Sequence, residues 1–107
     1  MTAEMAANMF RIRREQTRWF LLVALNVSRP VGAPIEVLLS VVQATYPDST
    51  AQEIRRELVY LEDRALVKIE RDPRDHWHCD LTRHGVDLAE YTVPVEPGIA
   101  RPNYHAG

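Results

Sequence analysis

The sequence has one cysteine, Cys79, so an internal disulfide is excluded. Its place on the apolar side of an alternating stretch marks a buried thiol and gives little support to a redox function. Glycine is scarce, four residues in 107, and forms no phosphate-cradling loop. No serine stands with histidine and acid at a recognisable spacing, and no carboxylate pair sits in an apolar setting. Catalysis is therefore not expected, and no cofactor is implied. No apolar run approaches the ~20 residues that cross a bilayer. The longest uninterrupted one covers residues 19–25, so no membrane partner is expected. Glu4 and Asn8 fall where a signal peptide would need its apolar core, which makes a soluble, cytoplasmic protein the expectation. A surplus of positive charge is missing too: the formal net charge is −2, which argues mildly against a phosphate-rich partner. The length suits one compact domain.

What is present begins with a helix start. Ser49 and Thr50 both suit an N-cap, and Gln52 and Glu53 follow each at capping-box spacing. With residues ~100° apart around the axis, Ala51, Ile54, Leu58, Leu61 and Ala65 share one apolar stripe. Ser49, Gln52, Arg56, Tyr60 and Asp63 gather opposite, with Arg55 at the edge. Upstream, Pro34 suits a first helical turn, and Ile35, Leu38, Leu39, Val42 and Tyr46 keep a helical period until Pro47 forbids it. Only Pro47 and Asp48 then separate the two helices, a helix-turn-helix connection.

After Leu66 the period becomes two. Val67 and Ile69 oppose Lys68 and Glu70, and Trp77, Cys79 and Leu81 oppose His76, His78 and Asp80. Residues 71–75 are polar and centred on Pro73, so the strands fold back as a hairpin with Arg71 and Arg74 at its tip. Thr82 caps a further short helix, although Gly85 in the first turn weakens it.

The run Arg55-x-x-Leu58-x-x-Leu61-Glu62-Asp63-Arg64-Ala65-Leu66-Val67-Lys68, then a hairpin and Leu81-Thr82-x-x-Gly85, resembles the winged helix-turn-helix domains of MarR-, PadR- and ArsR-type bacterial regulators. Small prophage-encoded winged helices look similar. The resemblance covers roughly residues 17–91. It implies an α+β, mainly α fold, with a three-helix core and a two-stranded wing. One departure stands out: the family usually carries glycine where this chain has Ala65, at a left-handed helix end.

The expected organisation is a helical extension over residues 1–16, the winged helix over 17–91 and an extended or flexible proline-rich tail over 92–107. Residues 19–25 are apolar all round, as for a helix buried on several sides. Met5, Met9 and Ile12 continue a stripe toward the N-terminus. Two readings stand: cover for the domain's own core, or a homodimer interface of Met5, Met9, Ile12, Trp19 and Leu22. The second is favoured, since a two-fold dimer would set two reading helices roughly 34 Å apart. In the tail, Val93, Val95 and Ile99 either stay mobile or pack along a partner.

The resemblance makes double-stranded DNA the expected partner and transcription regulation the expected role. The positive end of the second helix, at Ser49 and Thr50, would approach phosphate. Gln52 and Arg56 would reach base edges, Arg55 phosphate, and Glu53 would reject phosphate or accept from cytosine. Tyr60 lies on the same face, and Arg71 and Arg74 would touch the backbone or minor groove. Each arginine could instead pair with an acid, Arg56 with Glu53 or Tyr60 and Arg74 with Asp72. The rival from another class is a winged-helix docking or assembly module, including a phage DNA-packaging accessory, which suits the acidic balance. His76, His78 and Asp80 share a strand face, but same-face residues ~6.5 Å apart make one metal site awkward, and none is expected. Nothing marks an effector pocket apart from the dimer interface itself.

Overall fold

The computed structural model describes residues 1–103. Their order is α1 (Ala3–Val27), β1 (Ala33–Pro34), α2 (Ile35–Gln43), α3 (Ala51–Asp63), β2 (Val67–Arg71), β3 (Trp77–Leu81) and α4 (Arg83–Ala89). Helix α1 is capped by Thr2, whose hydroxyl accepts from the Met5 N–H at 3.1 Å. It runs unbroken through the expected boundary between residues 16 and 17.

Helix α1 is the centre of the fold, since α2, α3, α4 and β3 all pack on it. Leu21, Leu22 and Leu25 are fully buried and Trp19 is 8% exposed. The assignment of Trp19 and Leu22 to a subunit interface is thereby overturned: the chain encloses them itself. The cover missing from the sequence reading is the C-terminal segment. Val93 and Val95 pack on the core, Ile99 is buried, and the Ala100 N–H donates to the Glu15 carbonyl at 3.1 Å. Arg101 donates to the carbonyls of Leu88 and Val93 at 3.0 and 2.8 Å. Trp19 meets Tyr91 edge-on at 5.9 Å. From 92 to 103 the tail is thus a strap on its own chain, and residues 104–107 of the expected tail lie outside the described residues.

Helix α2 begins one residue later than expected, with Pro34 as N-cap, and ends at Gln43 instead of running to Pro47. The Tyr46 N–H still reaches the Val42 carbonyl at 2.8 Å, so the connection to α3 is a wound turn over residues 44–50. The Tyr46 hydroxyl donates to Gln16, and its ring lies against Phe20. These contacts fix the turn on α1.

Thr50 caps α3, its hydroxyl accepting from the Glu53 N–H at 3.2 Å. Ile54, Leu58 and Leu61 are fully buried beneath it, as their spacing predicts. The helix ends in a Schellman motif: the Leu66 N–H bonds the Leu61 carbonyl at 3.0 Å and the Ala65 N–H bonds the Glu62 carbonyl at 2.9 Å. Ala65 adopts the left-handed conformation that this motif needs, with φ 59°. Its Cβ is strained there, by about 1 kcal/mol. Ala65→Gly is accordingly expected to raise stability by about 1 kcal/mol, part of the gain being offset by glycine's freedom when unfolded. A higher urea midpoint at unchanged slope is the result that checks it.

Strands β2 and β3 pair antiparallel in register Val67–Leu81 through Arg71–Trp77. The two-residue β1 adds a third strand, pairing Ala33 with Cys79, so the order is β1-β3-β2. Burial pushes the Cys79 thiol pKa up to about 12, with Asp80 adding to the effect, so the sulfur stays protonated. Thr82 caps α4, accepting from the Gly85 N–H at 3.0 Å. A Cβ on Gly85 would lie 2.1 Å from the Leu66 carbonyl oxygen. Glycine stands in that first turn because the helix start presses against the end of α3's connection to β2.

Candidate nucleic-acid interface

Helix α3 is buried along Ile54, Glu57, Leu58 and Leu61. Each flank of that buried line is fixed by ion pairs. On the α1 side, Arg13 donates from Nε to Glu53 at 3.1 Å and reaches Asp48 at 2.9 Å. On the hairpin side, Arg55 donates to the Asp75 carboxylate at 3.1 Å and to the Asp75 carbonyl at 3.2 Å. Arg71 forks onto Glu62 at 3.0 and 3.1 Å. The indole of Trp77 lies between the guanidiniums of Arg55 and Arg71, at 5.2 and 4.5 Å. The hairpin is therefore joined to α3 by ion pairs along the helix's flank.

Between these clamps α3 presents Gln52 and Arg56. Gln52 is exposed, and the Arg56 side chain is 59% exposed with its Nε on Glu57 at 3.2 Å. Phe10, Arg13 and Arg14 of α1 form the other wall of a groove that Gln52 and Arg56 line. At the hairpin tip, Arg74 donates its backbone N–H to Asp72 at 2.9 Å while its side chain points free. The guanidiniums of Arg14 and Arg74 have no ion-pair partner among the described residues. The His76 and Arg74 N–H groups hold the Asp72 carboxyl below the usual carboxylate range.

Several expected contacts lie elsewhere. Ser49 is 4% exposed, its hydroxyl accepting from Arg13 at 3.3 Å and its carbonyl from Gln43 at 3.0 Å, so only Thr50 marks the helix end. Tyr60 faces α1 and the strap, its ring held between Arg18 at 3.5 Å and Arg64 at 3.8 Å. Glu53 is engaged by Arg13, and Arg55 and Arg71 are engaged by acids. Of the nine residues expected at this surface, Thr50, Gln52, Arg56 and Arg74 remain outward, Arg56 with its Nε on Glu57. Arg56 pairs with Glu57, not with Glu53 or Tyr60. Sequence reasoning missed Phe10 and Arg14; the signal for Arg14 is local, since Arg11, Arg13, Arg14, Arg18 and Arg29 outnumber Glu4 and Glu15 in the first third of the sequence. At the N-terminal end of α1, Met5 and Met9 are each 55% exposed and Ile12 46%. His76 faces Asp72 and His78 faces the Val31 carbonyl, and no cluster that could hold a metal occurs among the described residues.

No protein-family model matches this chain. No curated protein matches it either. Solved structures do. A candidate DNA-binding protein from Ralstonia eutropha JMP134 superposes with a TM-score of 0.60 at 18% identity, covering 73% of this chain and 95% of the other. MepR, a transcription regulator of the Staphylococcus aureus multidrug efflux pump MepA, superposes with a TM-score of 0.59 at 16% identity, covering 85% and 73%. The fold is a winged helix. In its terms α2 and α3 are the helix-turn-helix, and β2 and β3 the wing. Among the described residues no helix is long and apolar enough to cross a membrane.

Proposed function

We propose that the protein binds double-stranded DNA as a homodimeric transcription regulator, with α3 in the major groove. What carries this reading is the exposed Gln52–Arg56 strip, lying between the Arg13–Glu53 and Arg55–Asp75 pairs on a helix seated by the buried Ile54, Leu58 and Leu61. A reading head needs that rigidity, because bidentate contacts to base edges tolerate little misplacement. Gln52 suits adenine and Arg56 suits guanine. Thr50 at the helix N-terminus, Arg14 across the groove and Arg74 at the wing tip approach phosphate. The wing locates the helix on the duplex; its Arg71 acts as a brace. Met5, Met9 and Ile12 supply the interface with a second copy. The solved structures described as a candidate DNA-binding protein and a transcription regulator support the same direction.

The rival reading is a docking module. It is favoured by one observation: Arg13, Arg55 and Arg71 are already neutralised by acids of the same chain. Titration of random duplex across a salt series separates the two, since phosphate contacts make affinity fall linearly on a log–log plot. No binding at low salt would favour docking. Arg56→Ala is expected to weaken discrimination at one base position by about 1 to 3 kcal/mol, measured on a library of single-base variants of the selected site. An equal loss on every sequence would assign Arg56 to phosphate.

A further inference from the structure

Glu57 is a carboxylate on α3 with 1% of its surface exposed, and its two oxygens are shared between two arginines. Oε1 accepts from Arg18 Nε at 2.8 Å and Oε2 from Arg56 Nε at 3.2 Å. Arg18 belongs to α1, and its Nη1 donates to the Gly98 carbonyl of the strap at 2.8 Å. The strap is seated at that point by Tyr60: Gly98 has φ +100°, and a Cβ there would come within 2.2 Å of the Tyr60 hydroxyl. Arg64, stacked on the other face of Tyr60, reaches Glu96 at 3.2 Å. A continuous chain of contacts thus runs from the C-terminal strap, through Arg18 and Glu57, to the exposed arginine of the reading strip.

We propose that Glu57 is a positioning residue for Arg56, and that the docked strap, acting through Arg18, keeps Glu57 available to it. This rests on Arg56 reading a base. The physical reason lies in how a guanidinium divides its donors. While Gly98 holds Nη1 and Tyr60 lies under the plane, Arg18 offers Glu57 a single N–H. Released from the strap, Arg18 turns a second N–H onto the other oxygen, because a two-pronged pair with a buried carboxylate outcompetes two separate single bonds. Arg56 is then displaced into solvent. A pre-oriented arginine enters the groove with its rotamer already set, whereas a released one must be immobilised on binding and contacts phosphate as readily as a base. The strap therefore tunes sequence discrimination more than affinity.

The test uses the full chain with Gly98→Ala, which disfavours the positive φ and crowds the Tyr60 hydroxyl while leaving the α3 surface intact. Two readouts are needed. In the free protein, the Nε–H signal of Arg56 in NMR is expected to be protected from exchange in the parent chain and to lose that protection in Gly98→Ala. On DNA, Gly98→Ala is expected to lower discrimination at the base position that Arg56 reads by about threefold to tenfold, the cost of ordering one long side chain. Affinity for random duplex and its salt slope should not change. An unchanged Arg56 signal in a folded Gly98→Ala protein overturns the proposal, as does full discrimination. If the parent chain binds no duplex at all, the DNA reading fails and the NMR comparison alone decides the coupling. Should Gly98→Ala not fold, Tyr60→Leu loosens the same seat and is read the same way.

Discussion

Leu22→Glu is expected to leave the protein unfolded, with the cooperative transition in urea lost. The Leu22 side chain is fully buried in the middle of α1, where α2, α3, α4 and β3 converge. Removing it forfeits about 1.5–3 kcal/mol of apolar burial. The incoming carboxylate finds no partner in that layer, which adds several kcal/mol or forces its protonation. The total exceeds about 5 kcal/mol, comparable to the whole stability of a domain of this size. Read from sequence alone, the same substitution would have been chosen to split a dimer. Met9→Glu is the variant suited to that purpose, because Met9 is 55% exposed on the projecting end of α1. In the proposed homodimer it should leave the chain folded and shift sedimentation toward the monomer. A folded Leu22→Glu monomer would mean that α1 is not the core this packing makes it.

Arg18→Met is expected to destabilise the protein by about 3 kcal/mol, since breaking one side of a buried ion pair strands the other charge. Arg18 has 13% of its side chain exposed and Glu57 1%, so the stranded group is the carboxylate. Arg56 remains beside it but supplies one hydrogen bond, at 3.2 Å. The stack on Tyr60 and the bond to the Gly98 carbonyl are lost as well. Adding Glu57→Leu to Arg18→Met should recover most of the loss, because an apolar pair of similar volume has no desolvated charge to satisfy. The check is a double-mutant cycle in urea. Additive losses would show that the pair is not coupled and that its burial is incidental.

Much of the architecture was legible from residue spacing. The stripe of Ile54, Leu58 and Leu61, the alternation of Val67, Ile69 and Cys79, and the caps at Thr50 and Thr82 are local signals, written in neighbouring residues. They appear in the structure where the pattern puts them. Strand β1 left no such signal, being two residues that extend only because Cys79 and His78 pair with them. The sequence pattern overruns the end of α2 because Tyr46 keeps a helical period while its ring and hydroxyl answer to Phe20 and Gln16 on α1. For Gly85, helix propensity pointed the wrong way, since the reason for glycine there is the Leu66 carbonyl pressed against it.

The surface is less legible in the sequence than the core. Spacing around α3 separates a buried side from an open one, and it correctly turned Gln52 and Arg56 outward. It cannot say which charges on the open side are already matched. Arg55 meets Asp75, Arg71 meets Glu62 and Arg13 meets Glu53, across separations of 20, 9 and 40 residues. An ion pair is made by two side chains whose positions depend on separate elements, so neither partner's neighbours announce it. The same holds for the strap, whose prolines exclude helix and central strand but carry no instruction about where the segment lies. The sequence alone determined the order of the helices and the hairpin, the buried line of Ile54, Leu58 and Leu61 and the outward place of Gln52 and Arg56, because periodicity and capping act within a few residues. Only the tertiary structure decided that the all-round apolar helix is enclosed by its own chain and that Arg55 and Arg71 are matched by acids of other elements, because burial and charge pairing are settled by what distant segments bring alongside.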